Sequence, residues 1–351
     1  MKAAFLTAPQ RIEIRNIPEP HIHGPHDVLL HIEAVGVCGS DMHYYTTGRI
    51  GSAIVEYPFI LGHECAGTVI EVGAEVRGLR AGQRVAVDPL VACGRCDQCR
   101  TGRRNTCRNQ LFLGQPGQMA GALAEYIVLP EECCHPVPAA VTAGLAAMVE
   151  PLSIGVYAQQ LSRMEPGAKI AILGAGPIGL CVLLACRAAA ECTAYVTDLI
   201  DERWMRAAKL GAAWAGNPGK SDVVKAVLDA EPSGVDFVFE CAGKQEAIEQ
   251  GVEMLKPGGA LLIVGIPEVD EISLPIHTLR RNELTIINVR RQNNCMATAV
   301  ELLAGGRVNV CELMTHHFAL EEASEAFDLV AHYRDGVIKA TINLTANRPG
   351  Q

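Results

Sequence analysis

Short runs that alternate apolar and polar residues dominate the first 140 positions of the chain. They occur at 1–35, 66–72, 83–88 and 123–129, and glycine and proline separate them. Alternation with a period of two is typical of β-strands, and Gly and Pro mark the turns between them. The pattern therefore predicts an irregular, mostly β domain in this part of the chain.

The pattern changes after residue 140, where 144–161 has a helical composition. Further on, apolar strands and helical segments alternate at 169–173, 177–190, 193–197, 201–210, 235–239, 245–255 and 260–264. Such alternation predicts a parallel sheet that is covered by helices on both faces. The last stretch, 295–351, predicts an amphipathic helix, a second helix at 321–333 and a final strand, "VIKATINL".

Composition narrows the class of protein. The chain has 351 residues, long enough for two domains, and 49% are hydrophobic, so each domain can bury a core. The net charge of −9 argues against a nucleic-acid or anionic-membrane surface. The longest apolar run, 170–186, is too short to span a membrane, and the N-terminus lacks the apolar region of a secretory signal. We expect a cytoplasmic protein whose 14 cysteines are reduced.

A glycine-rich motif follows the strand "AKIAIL" and opens an apolar helix. It consists of Gly174, Ala175, Gly176, Pro177, Ile178 and Gly179. Between a strand and a helix, Gly174 permits the tight turn, Gly176 lets the backbone approach a pyrophosphate, and Gly179 allows close packing. The alternative is a purely structural glycine turn.

Asp198 ends the next strand, nineteen residues after Gly179. A carboxylate at this position accepts hydrogen bonds from the adenosine ribose hydroxyls and repels a 2′-phosphate, which favours NAD over NADP. Arg203 is the nearest cation, so NADP binding through Arg203 is the alternative.

A second set of chemical groups lies upstream. Cys38, His63 and Glu64 supply a thiolate, an imidazole and a carboxylate in glycine-rich loops, and Glu150 is a carboxylate within an apolar stretch. These are good zinc ligands, although each is also compatible with ordinary packing or solvation. Bound zinc would act as a Lewis acid on an alcohol whose carbon passes a hydride to the nicotinamide.

Ser40 and His43 follow Cys38 by two and five residues and form a candidate proton relay from a hydroxyl to an imidazole. Ser40 is also compatible with a helix-capping role. Asp41 is interpreted as structural.

The most conspicuous metal motif is "CGRCDQCRTGRRNTC", in which four cysteines have the spacing C-x2-C-x2-C-x7-C. They are Cys93, Cys96, Cys99 and Cys107. Four thiolates close a tetrahedron around one zinc and leave no open position, so we expect a structural zinc. The alternative, a nucleic-acid-binding zinc ribbon, conflicts with the net charge. For Cys133 and Cys134 we expect buried packing.

The motifs "VGVCGSDMHYYTTGRI", "LGHE", "EPLSIGVYA" and "GAGPIG…VTD", together with the four-cysteine lobe, resemble the zinc-dependent medium-chain alcohol dehydrogenases. Within them the chain is most similar to the sorbitol (L-iditol) and xylitol dehydrogenase branch. The resemblance implies an α/β protein with a GroES-like catalytic domain at 1–152 and 292–351 and a Rossmann NAD-binding domain at 153–291. It also implies an active site in the cleft between the domains and a homotetramer or dimer.

The resemblance further implies one catalytic zinc per chain, beside the one structural zinc that the four-cysteine spacing predicts and that some members of the branch lack. Cys38, His63 and Glu64 would be the catalytic ligands, and Glu150 would hold a zinc-bound water or join them. The reaction would interconvert a secondary alcohol of a polyol with its ketose.

Four residues would contact the substrate, namely Tyr44, Phe112, Arg290 and Arg291. Two departures from the branch concern this group: Arg291 replaces a usual tyrosine, and Leu111 precedes Phe112 where an aromatic pair is usual. A second arginine faces solvent or binds an anion. The alternatives are therefore a sugar acid, a polyol phosphate, an inositol, butanediol or threonine as substrate, or a non-catalytic dinucleotide-binding protein.

Overall fold

The computed structural model of the protein describes residues 1–267 and 269–345. The chain divides into two compact units. The first contains Met1–Glu150, Met296–Gly305 and Met314–Gln351, and the second contains Pro151–Cys295 and Gly306–Leu313. The sequence interpretation assigned 1–152 and 292–351 to the first domain, whereas 151–152, 292–295 and Gly306–Leu313 group with the second unit. There Arg307 donates to the Ala188 carbonyl and Glu312 pairs with Arg206.

The elements of the first unit begin with β1 (Lys2–Ala8), β2 (Arg11–Asn16), β3 (Asp27–Gly36), α1 (Gly39–Thr47), β4 (Arg49–Ile50), β5 (Ala53–Ile54), β6 (Phe59–Ile60), β7 (Glu64–Val72), β8 (Arg84–Val87), β9 (Leu90–Val91), α2 (Asp97–Arg100), β10 (Leu111–Phe112), β11 (Tyr126–Pro130), β12 (Cys134–Pro136) and α3 (Ala143–Ala147). The chain continues with α4 (Val149–Ser162), β13 (Ala168–Leu173), α5 (Pro177–Ala189), β14 (Cys192–Thr197), α6 (Asp201–Lys209), β15 (Trp214–Gly216), α7 (Val223–Ala230), β16 (Val235–Glu240), α8 (Gln245–Met254), β17 (Leu255–Ile263), α9 (Ile276–Arg281) and β18 (Thr285–Asn288). It ends with α10 (Met296–Ala304), β19 (Met314–Ala319), α11 (Ala323–Ala331) and β20 (Lys339–Asn343). Single 3-10 turns lie at Arg104–Thr106, Glu131–Cys133, Cys311–Leu313, Leu320–Glu322 and Arg334–Gly336.

The first unit is built on a seven-stranded sheet with the order β12-β8-β7-β3-β20-β19, in which β11 also pairs with β3. A smaller sheet has the order β2-β1-β6. The inward-facing residues of these strands form one core, to which Leu30, Leu129 and Ile342 belong. Strand β20 lies late in the sequence and pairs antiparallel with β3 at Ala34–Gly36, two residues before Cys38.

The second unit contains a six-stranded sheet with the order β15-β14-β13-β16-β17-β18, and every pairing in it is parallel. The central strand β13 is buried along nearly its whole length because helices cover both faces of the sheet. The parallel sheet that the alternating pattern predicts is therefore confirmed. Of the helices that the structure describes, none is long and apolar enough to cross a bilayer.

Candidate metal centres and coenzyme loop

Cys38, His63 and Glu64 come together in the first unit. Their ligand atoms all lie within 4.8 Å of one another, and we call these three residues the trio. Cys38 precedes α1 at its N-cap, and Glu64 begins β7 directly after His63. A thiolate, an imidazole and a carboxylate at this spacing fit the three protein ligands of a catalytic zinc, which leaves a further position open.

Asp41 holds two members of the trio in place. Its carboxylate accepts the backbone N–H of Cys38 at 3.1 Å and lies 3.5 Å from Nδ1 of His63. Burial lowers the pKa of His63, but the Asp41 carboxylate and the Cys38 sulfur outweigh it and raise that pKa well above 6.5. A carboxylate behind a metal-binding histidine orients the ring for its ligand role. These contacts agree with the interpretation of Asp41 as structural and identify its partners, which the sequence did not reveal.

Lys339 is the second partner that the sequence did not reveal. It lies at the start of β20, is 1% exposed, and its Nζ donates to both carboxylate oxygens of Glu64, at 2.8 and 2.5 Å. Nζ also donates to the carbonyl of Val37 at 3.0 Å. The Glu64 carboxylate fits here because residue 36 is glycine, since a Cβ at Gly36 would lie 2.3 Å from Oε2.

The candidate proton relay begins at the trio. The Ser40 hydroxyl donates to Sγ of Cys38 at 3.3 Å, and His43 follows Ser40 by three residues on α1. Residues three apart on a helix share a face, so α1 presents the hydroxyl and the imidazole on one side.

Glu150 is 4% exposed and is a neighbour of the trio rather than a member of it. Burial, with smaller contributions from Glu64 and Asp88, raises the pKa of Glu150 to about 8, although His63 and Lys339 oppose the shift. Because the charges of His63 and Glu64 change the pKa of Glu150, its carboxylate interacts electrostatically with the trio. A cation placed there would favour its ionised form.

The four-cysteine lobe also assembles. The sulfurs of Cys93, Cys96, Cys99 and Cys107 lie within 4.8 Å of one another. Cys96 Sγ is 3.6 Å from that of Cys99 and 3.9 Å from that of Cys107. Two sulfurs of a tetrahedral zinc with bonds of ~2.3 Å are separated by ~3.8 Å, so the lobe fits zinc.

Backbone amides favour the thiolate form of one sulfur in this lobe, since the N–H groups of Arg95 and Cys96 lower the pKa of Cys93 to about 6. Burial opposes ionisation at Cys99, whose pKa it raises to about 12. None of the 14 cysteines forms a disulfide, so no disulfide competes for these sulfurs. Outside the lobe, Cys133 and Cys134 are buried, as expected of packing residues.

The four predicted substrate residues fall into two groups. In the first unit Phe112 lies near the trio, with its ring 5.5 Å from that of His63, whereas Tyr44 is 6% exposed and packs into the core. Arg290 and Arg291 follow β18 in the second unit, where Arg290 is exposed and Arg291 has a φ of 54°.

The glycine motif of the second unit forms a turn between β13 and α5. Gly174 has a φ of 100°, and a Cβ at Gly179 would lie 1.8 Å from the Gly174 carbonyl oxygen, so packing alone requires these two glycines. Gly176 differs, because the nearest atom to a Cβ there would be Nη1 of Arg203 at 3.8 Å. An open glycine at the N-terminus of a helix fits an approaching phosphate. Pro177 and Ile178 begin that helix.

Asp198 follows β14 and is tied to this turn. Its Oδ2 accepts the backbone N–H of Ala175 at 2.7 Å, and its Oδ1 accepts that of Ile200 at 2.8 Å. Burial raises the pKa of Asp198, while these amides and the cation of Arg203 oppose the shift. Each carboxylate oxygen retains a second lone pair, as an acceptor for ribose hydroxyls requires.

A parallel-sheet unit with a dinucleotide-type turn, together with a β-rich unit that carries one open and one closed metal-ligand set, defines a class of metal-dependent oxidoreductases. Two family models match the chain, the alcohol dehydrogenase GroES-like domain at residues 24–139 and the zinc-binding dehydrogenase at residues 177–305. The chain belongs to the zinc-dependent medium-chain alcohol dehydrogenases. The predicted fold class, a GroES-like β-rich domain with a Rossmann parallel-sheet domain, is thereby confirmed.

Individual relatives cover almost the whole chain. A sorbitol dehydrogenase from Bacillus subtilis (strain 168) is 38% identical over 344 residues, 97% of either chain. An L-idonate 5-dehydrogenase from Vitis vinifera is 35% identical over 350 residues, 97% of this chain and 94% of its own. A crystal structure of a zinc-binding dehydrogenase from Sinorhizobium meliloti 1021 bound to NADP aligns with a TM-score of 0.90 at 31% identity, covering 98% of this chain and 99% of that one.

Proposed function

We propose that this protein is an NAD-dependent, zinc-dependent polyol dehydrogenase that interconverts a secondary alcohol of a sugar alcohol with the corresponding ketose. The observation that carries the proposal is the trio, whose three different ligand types converge within 4.8 Å and leave a position for substrate. The similarity to a sorbitol dehydrogenase over the whole chain supports the polyol as substrate.

In this proposal the trio holds the catalytic zinc and the four-cysteine lobe holds a structural one. When bound, zinc supplies a Lewis acid for the alcohol oxygen, and the nicotinamide coenzyme accepts the hydride from the adjacent carbon. Ser40 receives the alcohol proton through its hydroxyl, and His43 passes it on from the same face of α1. Glu150 orients a water beside the trio or joins the ligands.

The turn of Gly174, Gly176 and Gly179 would hold the coenzyme, and the N-terminus of α5 would bind its pyrophosphate. Asp198 would accept the ribose hydroxyls, which favours NAD, and Nη1 of Arg203 is 3.8 Å from the position of a Cβ at Gly176. The NADP bound to the Sinorhizobium meliloti protein is the reason to measure both coenzymes.

A second candidate substrate is an anionic polyol, such as a sugar acid or a polyol phosphate. Arg290 and Arg291 form an adjacent pair of cations, and one relative is named for L-idonate, a sugar acid. Guanidinium groups bind carboxylates and phosphates in a bidentate manner. In the polyol proposal, Tyr44, Phe112 and Arg290 contact the substrate chain instead.

We propose a reducing compartment such as the cytoplasm, which suits 14 cysteines that form no disulfide with one another. A homotetramer, or a dimer, is proposed from the family resemblance and is checked by light scattering.

Metal analysis combined with coenzyme reduction on a substrate panel tests the proposal. We expect about two zinc ions per chain and NADH formation with sorbitol, xylitol or iditol. Cys38→Ala should abolish turnover without unfolding the protein, whereas Cys65→Ala, a buried non-ligand one residue after Glu64, should retain it. The polyol assignment is wrong if all three polyols are inert while a sugar acid or polyol phosphate is oxidised.

A further inference from the structure

Glu240 is a buried carboxylate that the proposed chemistry does not use. It is the last residue of β16, is 0% exposed, and lies in register with Leu173 of β13 and Ile263 of β17. These strand ends form the carboxyl edge of the parallel sheet. The glycine turn begins at the same edge, with Gly174 directly after Leu173.

Glu240 holds two loops at once. Its side-chain Oε1 accepts the backbone N–H groups of Ala242 and Gly243, at 2.8 and 2.7 Å. Its backbone carbonyl accepts those of Val264 and Gly265, at 2.8 and 2.9 Å. We call residues 241–244 the β16 loop and residues 264–267 the β17 loop.

The two loops and the glycine turn touch through their backbones. A Cβ at Gly174 would lie 2.9 Å from the Ala242 nitrogen, and a Cβ at Gly265 would lie 2.4 Å from the Gly243 nitrogen. Gly243 has a φ of 66°, and a Cβ there would lie 2.4 Å from the Ile266 carbonyl oxygen. Because no side chain separates these segments, a shift of the β16 loop must displace the turn at Gly174.

A neutral side chain would accept from the Ala242 and Gly243 amides at a smaller cost in folding free energy than a buried carboxylate does. The second carboxylate oxygen of Glu240, Oε2, is buried and accepts no hydrogen bond from the described residues. A carboxylate buried in this way costs folding free energy, so its presence here calls for a specific role.

We propose that Glu240 is a positioning residue for the dinucleotide, which it serves by fixing the β16 and β17 loops against the turn at Gly174. The turn is thereby preformed, so coenzyme binding does not have to order it. This inference rests on the coenzyme binding proposed above. Glu240 acts through other residues, because its carboxylate lies beneath the loops and not on their surface.

The expected effect falls on coenzyme affinity. Removing the side chain releases the backbone amides that it holds in the β16 loop. Ordering even one or two loop residues on binding costs about tenfold or more in affinity. Zinc content should not change, because the trio and the four-cysteine lobe both belong to the other unit.

Fluorescence titration with NADH of the zinc-loaded protein tests the inference. We expect Glu240→Ala to weaken NADH binding about tenfold or more. Glu240→Gln keeps an acceptor for Ala242 and Gly243 and should stay within about threefold of the wild type.

The matched control is Glu231→Ala. Glu231 is a buried carboxylate that precedes β16 at the opposite edge of the sheet, where it accepts from Tyr195 and pairs with Lys169. This variant should lose stability but retain NADH affinity. The inference is overturned if Glu240→Ala binds NADH like the wild type, or if Glu231→Ala weakens binding equally.

Hydrogen exchange on the wild-type protein provides a measurement that does not depend on any variant folding. The amides of Ala242 and Gly243 should be protected equally with and without NADH, and rapid exchange in the absence of NADH contradicts a preformed loop. A wild-type protein that binds neither NADH nor NADPH instead refutes the proposed function, so the two failures are distinct.

Discussion

Replacing Lys339 by methionine removes the cation that neutralises Glu64 while preserving a long, flexible side chain. In the native chain Nζ of Lys339 uses its hydrogens on the two Glu64 oxygens and the Val37 carbonyl. Both side chains of the pair are 1% exposed, so water cannot replace the lost partner. In protein stripped of zinc, the variant leaves the buried Glu64 carboxylate, whose charge also acts on Glu150, without its ammonium partner.

The size of the effect follows from this burial. Removing one partner of a buried ion pair costs about 3–5 kcal/mol. For a unit of this size, 1 kcal/mol changes Tm by about 2–4 °C, so the zinc-depleted variant should unfold about 6–20 °C below the wild type. With zinc bound, the metal ion neutralises Glu64, and the loss should be less than half as large. The Tm increase that zinc produces is therefore greater in Lys339→Met than in the wild type.

Differential scanning calorimetry with and without a chelator measures these four values of Tm. Lys2→Met is the matched control, because Lys2 pairs with Glu321 in the same unit while both side chains are exposed, at 47% and 40%, and exposed pairs contribute about 0–1 kcal/mol. Our reasoning fails if Lys339→Met costs the same with zinc as without it. It also fails if zinc-depleted Lys339→Met unfolds at the wild-type temperature.

Three further predictions concern other parts of the molecule. Cys96→Ser opens the four-cysteine lobe, so it should lower Tm far more than kcat, and a fully stable but inactive variant would contradict a structural role. Asp198→Ala removes the carboxylate that repels a 2′-phosphate, so kcat/KM for NADP relative to NAD should rise about tenfold or more, and an unchanged ratio would refute this role. Burial raises the pKa of Glu150 from 4.5 to about 8, so the folded, zinc-depleted protein retains a proton that the unfolded chain releases, and its stability should fall as pH rises between these values. Glu150→Gln should flatten this pH dependence in urea unfolding, and a profile like that of the wild type would show that another group titrates.

The periodic elements and the local motifs of this protein are predictable from its sequence. The apolar stretches at 169–173 and 193–197 coincide with β13 and β14, because buried parallel strands need continuous apolar residues. Strand β15 and helix α7 were not predicted. β15 has only three residues, which are too few to establish a period.

Helix α1 was also missed, and for a different reason. Its sequence, "GSDMHYYTT", has no apolar stripe, and its start depends on the contact between Asp41 and the Cys38 amide. The role of Lys339 could not be predicted from its neighbours in the sequence, because its partner Glu64 is 275 residues away. The available hint was a lone lysine in the apolar strand "VIKATINL", since a buried charge requires a partner.

The late position of β20 in the sequence has a consequence for biosynthesis. The end of β3 nearest to Cys38 pairs with β20, so this edge stays incomplete until Asn343 has been synthesised. At about 5–20 residues per second, the ribosome needs roughly 15–55 s to travel from β7 to the end of β20. During this interval most of the second unit, Pro151–Cys295, is synthesised, while Cys38 and His63 lack the strand that brings Lys339 to Glu64. Metal loading of the trio in its final geometry therefore requires β20, and a nascent chain stalled before β20 should carry zinc in its four-cysteine lobe alone.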